Sequence, residues 1–445
     1  MQDNSYRNDR DEMRDLLKQF ENLRTGMSHG FLEEDSFEKI IDYFDEKDDI
    51  AKALEAVELG VGQFPYSASL MVKKADLLIA TRKYNDALEI LEKAEILDSS
   101  DIDIYILKTD VFLALDEHEK AVGLLEDAIS LFEGDNRINL LFELADVYDD
   151  YEEFDKVFDC LMHILEYEPN NEEALYKICF WTDFTGRSEE SIRLHQHIIN
   201  EFPYNELAWF NLGAAYQGLK LFEKSIDAYK YALAINEKFD YAYRNMADAY
   251  IRLRKYRDAI ESLEKVIELA RPEDVIYEAI GHCYDRLKQY AQARFYYKKA
   301  SHLNSDDSKL YYKIACTYIN ELSFSKAVQY LESAMRIHRM QPEYNLAMGE
   351  CLLELGNIKD AIIHFSNVVK ANNARQIAGD KPLFLFYQSA VLFAMGKSKE
   401  ALLVLQCAME RAPRLLKKFI ELNPTILQNQ QVVDLIAYYK RKRSI

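Results

Sequence analysis

Side chains with chemical potential are present, but few have catalytic or metal-binding spacing. His195 and His197 are two residues apart, so on a helix they point to different sides and make a poor metal pair. The six cysteines form no CxxC pair, and the motifs GxxxxGKS/T, GxGxxG, HExxH and GxSxG are absent. We therefore expect no enzymatic activity, no cofactor and no metal site.

Basic and amide side chains offer a different chemistry, which is the binding of carboxylates and peptides. An arginine guanidinium matches a carboxylate with paired hydrogen bonds, and an asparagine amide suits a peptide backbone. Such residues occur in the middle of the chain, among them Arg244, Asn245, Lys309 and Lys313. Their use depends on the elements that bring them together.

Those elements follow a 34-residue period. Within residues 206–239, Trp209, Leu212 and Tyr216 have the i, i+3, i+7 spacing of one helix stripe, and Ala232 is small where two helices must cross. The twentieth residue of each period is small in nearly every case: Ala53, Ala87, Ala121, Val157, Ser191, Ser225, Ala259, Ala293, Ala327, Ala361 and Ala401.

This pattern resembles the tetratricopeptide repeat (TPR), a helix–turn–helix unit of 34 residues. The resemblance covers residues 34–413 and implies an all-α superhelical solenoid of about eleven TPR-like repeats, because one helix pair cannot bury both of its faces. Residues 1–33 are expected to form an amphipathic helix or arm, and residues 414–445 to form capping helices with a basic tail. The repeats are expected to begin at residues 34, 68, 102, 138, 172, 206, 240, 274, 308, 342 and 382.

The resemblance also implies where a ligand would bind. In TPR proteins, certain first-helix positions line a concave groove, and here those positions carry aromatic, amide and basic residues. The groove candidates for an extended acidic or polar peptide are Tyr176, Phe210, Asn211, Tyr241, Arg244, Asn245, His282, Lys309, Tyr312 and Lys313. The carboxylate clamp of co-chaperone TPR domains is incomplete, since Asp248 replaces an asparagine of that clamp and would repel a ligand carboxylate.

Charge is unevenly divided along the chain. Residues 1–200 hold 48 acidic and 20 basic side chains, a balance of −28, whereas residues 201–445 hold 28 and 35, a balance of +7. Acidic runs at 45–49, 116–117 and 149–153 fall between the two helices of a repeat. They could dock a basic segment, or they could serve solubility alone.

Two further features bear on partners and location. The basic run at 252–257 and the tail at 440–443 could contact nucleic acid, but no aromatic–basic groove accompanies them. No hydrophobic run approaches the ~20 residues that span a bilayer, and the N-terminus is too polar for a secretory signal. Unpaired cysteines fit a reducing compartment, so we expect a cytoplasmic protein with no membrane partner.

Together these observations favour a non-enzymatic protein–protein interaction scaffold that binds an extended protein segment in its groove. Two alternatives stay open. One is a nucleic-acid-associated regulator that uses the basic C-terminal half, although nucleic acid is the less favoured partner. The other is a self-assembling adaptor, in which the acidic half of one copy meets the basic half of another to form a homo-oligomer.

Overall fold

The computed structural model describes residues 2–25, 30–271, 273–339, 341–370, 382–422 and 424–443. Every regular element in these ranges is helical, and most helices pair into antiparallel hairpins, which confirms the α-solenoid class. The helices are α1 Gln2–Arg24, α2 Glu34–Asp45, α3 Ile50–Gln63, α4 Ala68–Ala80, α5 Tyr84–Leu97, α6 Ile102–Ala114, α7 His118–Leu131, α8 Gly134–Asp150, α9 Phe154–Tyr167, α10 Glu172–Thr185, α11 Ser188–Glu201, α12 Glu206–Gly218, α13 Phe222–Ile235, α14 Asp240–Arg252, α15 Tyr256–Leu269, α16 Asp274–Arg286, α17 Tyr290–Leu303, α18 Ser308–Asn320, α19 Phe324–Ile337, α20 Pro342–Glu354, α21 Ile358–Lys370, α22 Pro382–Ala394, α23 Ser398–Arg411, α24 Leu416–Leu422 and α25 Gln430–Arg443, with 3-10 turns at Pro413–Leu415 and Pro424–Gln428.

The first helix of a hairpin often begins after a side chain that caps it. Ser67, Asn171 and Asn205 each accept the backbone N–H of the residue three positions on. The first helices start at the residues that the 34-residue spacing gives, with one exception. Helix α8 begins at Gly134, one turn before the expected Ile138, so it has 17 residues where α6 has 13.

Contacts divide the chain into two compact units, an N-terminal unit of residues 1–220 and a C-terminal unit of residues 221–445. In the N-terminal unit, Phe20 of α1 is buried against the first hairpin, with its ring centroid 5.7 Å from that of Phe44. Helix α1 therefore packs as a cap. In the C-terminal unit, Phe419 of α24 is buried against Phe386 of α22, so the last helices cover the end of that unit.

The turn between the two helices of each repeat has one conformation. The fifteenth residue of the repeat always has a left-handed backbone, and in three repeats it is the glycine that this conformation favours: Gly186, Gly356 and Gly396. In the other eight repeats a residue with a side chain takes the same φ: Asp48, Arg82, Asp116, Glu152, Lys220, Arg254, Lys288 and Leu322. These positions carry local strain that glycine would relieve.

Replacing Leu322 by glycine is expected to raise the free energy of unfolding by up to about 1 kcal/mol. The left-handed strain of about 1–2 kcal/mol exceeds the entropic cost of about 0.5–1 kcal/mol that glycine adds. Little packing is lost, because the Leu322 side chain is 74% exposed. The urea midpoint of unfolding, followed by circular dichroism, measures the effect. A Leu322→Val control should lower the midpoint, and a lower midpoint for the glycine variant would contradict the strain.

Candidate functional site

The sequence-predicted groove residues lie on first helices of hairpins in both units. Three belong to the N-terminal unit and seven to the C-terminal unit. In the N-terminal unit they are Tyr176 on α10 and Phe210 and Asn211 on α12; in the C-terminal unit they are Tyr241, Arg244 and Asn245 on α14, His282 on α16, and Lys309, Tyr312 and Lys313 on α18. Each unit therefore offers its own candidate surface.

In the C-terminal unit, two of the predicted basic residues, Arg244 and Lys313, form ion pairs with acidic residues of a neighbouring repeat. Lys313 of α18 donates to Glu278 of α16, and both side chains are about one-third exposed. The Arg244 guanidinium of α14 lies 2.7 Å from a carboxylate oxygen of Glu273, the residue just before α16. These pairs link α14 to the residue before α16, and α16 to α18. They also mean that a ligand carboxylate must compete with an internal one.

His282 and Asp285 complete this surface on α16. Burial lowers the pKa of His282, and the positive charges of Lys313 and Arg286 act in the same direction, so the imidazole is neutral at pH 7. Burial raises the pKa of Asp285, against the opposing effect of the nearby His282, Arg286 and Lys313. The Asp285 Oδ1 atom is buried and has no hydrogen-bond partner among the described residues. It is an acceptor that a ligand donor could satisfy.

The other predicted residues of the C-terminal unit differ in access. Tyr241 is well exposed and Lys309 is exposed, whereas Asn245 is half-buried. Tyr312 packs against Tyr344 of α20, with ring centroids 4.9 Å apart, and burial raises the pKa of its phenol. Tyr312 therefore contributes to the packing of α18 on α20, and its side chain is partly buried.

In the N-terminal unit the structure corrects one expectation. Asn211 does not face an open groove, because it is buried and its amide donates to the carbonyl oxygen of Leu175 at 2.7 Å and lies 3.2 Å from Nε2 of His195. The His195 Nδ1 atom lies 2.7 Å from the carbonyl oxygen of Ser191, a geometry in which Nδ1–H donates and Nε2 accepts. Burial lowers the pKa of His195 to about 4. This network is internal, so Asn211 leaves the candidate set.

Phe210 and Tyr176 remain as candidates in the N-terminal unit. Phe210 is half-buried, and Tyr176 is 64% exposed. The acidic runs of the sequence lie in or beside the hairpin turns, and a second set of carboxylates occupies the first helices themselves. Burial raises the pKa of Asp110 and of Glu143, and the carboxylates that neighbour each add to the shift. Sequence reasoning did not include these residues, because their proximity arises only from the stacking of hairpins.

Two findings concern other classes of site. Over the ranges that the structure describes, no helix combines the length and apolar character needed to cross a membrane. Over the same ranges, His, Cys, Asp and Glu side chains form no group of three or more that could hold a metal ion.

Comparisons with known proteins agree with the repeat architecture. Residues 214–375, about a third of the chain, match the family model described as the tetratricopeptide repeat protein 21 C-terminal ARM domain. No curated protein matches the chain.

Solved structures resemble the chain distantly. YrrB, described as a TPR protein with an unusual peptide-binding site, is 18% identical, covers 44% of this chain and 97% of its own, and has a TM-score of 0.37. Pseudomonas aeruginosa pilF is 17% identical, covers 50% of this chain and 97% of its own, and has a TM-score of 0.38. A chain of the APC/C hetero-tetramer Cut9–Hcn1 is 11% identical, covers 92% of this chain and 96% of its own, and has a TM-score of 0.37. At these scores none of the likenesses bears on function.

Proposed function

The chain is a TPR-like helical repeat protein, and from that premise we propose that it is a non-enzymatic scaffold whose C-terminal unit binds an extended acidic or polar protein segment. Repeat proteins of this kind typically bind other proteins over several stacked helices and have no catalytic site. We extend the proposal to a cytoplasmic location, since all six cysteines are free thiols, as expected in a reducing compartment.

The observation that carries this function is the pairing of basic residues across successive first helices. Arg244 and Lys313 are held in place by Glu273 and Glu278, so their charged groups are ordered before a ligand arrives. A carboxylate of the ligand would exchange with these internal partners, and a ligand N–H would satisfy the buried oxygen of Asp285. Recognition would then depend on several moderate contacts in a row, which suits an extended segment.

The first experiment identifies the segment. A tagged full-length chain is cross-linked in native lysate, and mass spectrometry locates partner peptides linked to Lys309 or Lys313. A single partner that links repeatedly at these lysines supplies the segment for binding measurements and supports the proposal. Links that require nucleic acid, or that join separate copies of this chain, would contradict it.

Removing one basic group of this surface is expected to weaken binding of that segment about tenfold. A charge-assisted hydrogen bond contributes about 1.5–3 kcal/mol, and 1.4 kcal/mol corresponds to tenfold. Fluorescence anisotropy with a synthetic peptide of the cross-linked sequence measures Lys313→Gln and Arg244→Gln. Lys265→Gln is the matched control, because Lys265 pairs with Glu268 on the second helix α15, away from this surface.

Removing an internal competitor should have the opposite effect. Glu278→Gln leaves Lys313 without its carboxylate partner, so the affinity for an acidic segment is expected to rise. Equal losses in the Lys313 and Lys265 variants, or no gain in the Glu278 variant, would show that this surface does not bind the segment.

A further inference from the structure

Helix α10 of the N-terminal unit presents an aromatic face that is more than half exposed, although the Phe184 ring also contacts Phe154 of α9 at 4.8 Å. Tyr176, Phe180 and Phe184 are 64%, 60% and 56% exposed. Their i, i+4, i+8 spacing places the three rings along one side of the helix. The rings of Phe180 and Phe184 stack with centroids 5.8 Å apart, so they form one continuous apolar surface. A contiguous exposed apolar surface of this kind marks an interaction site more often than a solvated face.

This face is held rigidly from below. The ring of Trp181 lies 5.0 Å from that of Phe180 and 5.7 Å from that of Phe184, and it stacks at 5.5 Å on Phe154 of α9. Helix α10 packs mainly against α9 and α12, and only weakly against α11, the second helix of its own hairpin. The contact within this hairpin is therefore weaker than that between α8 and α9. The exposed rings are ordered without a ligand, which lowers the entropic cost of binding.

An open cleft adjoins the aromatic face at Tyr176. Its volume is about 560 Å³, and its aromatic lining includes Phe202 and Tyr204 as well as Tyr176. Three carboxylates also line the cleft: Glu172, Glu201 and Glu206. Among the described residues, no basic side chain lines it. The cleft therefore combines apolar walls with negative charge.

A second group of carboxylates lies beside α10, on the neighbouring helix α8. On α8, burial raises the pKa of Glu143 and of Asp146, and nearby carboxylates raise both further. Lys177 opposes the shift only in part, because its ammonium lies 3.0 Å from Glu173 and 3.9 Å from Asp146 and is shared between them. Cations brought by a ligand would reduce this repulsion.

We propose that the α10 aromatic face and its adjoining cleft bind a linear segment of another protein, and that this segment combines basic and aromatic side chains. The α10 aromatic face is formed by Tyr176, Phe180 and Phe184. The aromatic side chains of the segment pack on the exposed rings. Its arginine or lysine head groups reach the carboxylates of the cleft and the faces of the rings. This site takes a ligand of opposite charge to the one proposed for the C-terminal unit. This proposal rests on the proposed function in one respect, which is that the chain binds segments of other proteins.

The test is a selection of displayed random peptides of about 12 residues on the immobilised full-length chain. Enriched peptides are expected to contain arginine or lysine together with phenylalanine, tyrosine or tryptophan. Their enrichment should fall at least about tenfold on a variant with both Phe180→Ala and Phe184→Ala, and it should persist on Phe295→Ala. Phe295 is a matched control, because it is 55% exposed but lies on α17 of the C-terminal unit.

A second variant tests the contribution of charge separately from that of aromatic packing. It keeps the aromatic residues, so a loss of folding on their removal cannot affect it. In Glu201→Gln with Glu206→Gln, the enriched peptides should keep their aromatic residues and lose their excess of arginine and lysine. The site would be overturned by the absence of any enrichment that depends on Phe180 and Phe184. Enrichment of acidic or uncharged peptides at these residues would overturn it as well.

Sedimentation velocity tests whether a second copy of the chain occupies the α10 aromatic face. The full-length chain could self-associate, and the Phe180→Ala, Phe184→Ala variant could abolish that self-association. This result would contradict the proposed basic partner and would indicate a homo-oligomer instead. A sedimentation coefficient that is unchanged by these substitutions agrees with the proposal. Peptides that depend on Arg244 or Lys313 report on the C-terminal unit alone, so the two sites can fail independently.

Discussion

Acidification from pH 7 to pH 4.5 is expected to lower the free energy of unfolding of the native chain by about 2.5 kcal/mol more than that of a His195→Gln variant. Burial lowers the pKa of His195 from its ordinary 6.5 to about 4. The unfolded chain therefore takes up a proton below pH 6.5 that the folded chain does not accept until about pH 4. Stability that is present above pH 6.5 is lost as the pH falls through this window.

The hydrogen bonds around the imidazole explain why the folded chain resists protonation. Nδ1–H donates to the Ser191 carbonyl, and Nε2 accepts from the Asn211 amide, whose other hydrogen is directed at Leu175. A second proton on Nε2 would face the Asn211 N–H group, with no acceptor to receive it. The buried network therefore favours the neutral imidazole until the pH falls to about 4.

Urea unfolding curves at a series of pH values measure this difference. Burial raises the pKa of carboxylates such as Asp110 and Glu143, and a carboxylate with a raised folded-state pKa favours folding as the pH falls, so the native chain must be compared with a variant. His197→Gln is the control, because His197 is two residues away and its side chain is 63% exposed. Equal pH dependence in the native chain and the His195 variant would refute the assignment.

The hairpin architecture is predictable from the sequence because its signals recur at one phase. Small residues recur where helices cross, as Ala259 and Ala293 do, and both are fully buried. The start of α8 was less predictable. The third and fourth repeats are expected to begin 36 residues apart, two more than the period. Extra residues at such a junction can extend either the loop or the following helix, and the structure begins the helix early, at Gly134. The left-handed conformation of the turn residue was also not predictable from the sequence, since eight of the eleven residues at this position are not glycine.

The candidate site is harder to predict, because periodicity indicates on which face of a helix a residue lies and does not indicate which residue its side chain contacts. Asn211 has the spacing of a groove residue, yet its amide turns inward to Leu175 and His195, which are 36 and 16 residues away. Lys313 and Glu278 are both visible in the sequence, but their ion pair joins residues 35 apart. Such contacts depend on how neighbouring hairpins stack, which a single repeat does not encode.

Gly349→Ala is expected to reduce the free energy of unfolding by about 1–3 kcal/mol, the usual range for overpacking a core. A Cβ atom on Gly349 of α20 would lie 2.5 Å from Cε1 of Phe365 on α21, and real Cβ atoms do not approach so closely. The Phe365 ring cannot move aside freely, because it is fully buried and stacks on Tyr387 with ring centroids 4.2 Å apart. The two helices must separate, and the loss should spread to the packing of α22.

Gly123→Ala is the matched control for this effect. Gly123 is also a glycine inside a helix, α7, but a Cβ atom there would meet nothing within 4 Å. Alanine is the better helix former, so this substitution should raise the free energy of unfolding by about 0.5–1 kcal/mol. Urea unfolding followed by circular dichroism should therefore give changes of opposite sign for the same chemical substitution. A gain in stability in both variants would show that close approach of α20 and α21 does not select the glycine at 349, and helix propensity alone would then govern both positions.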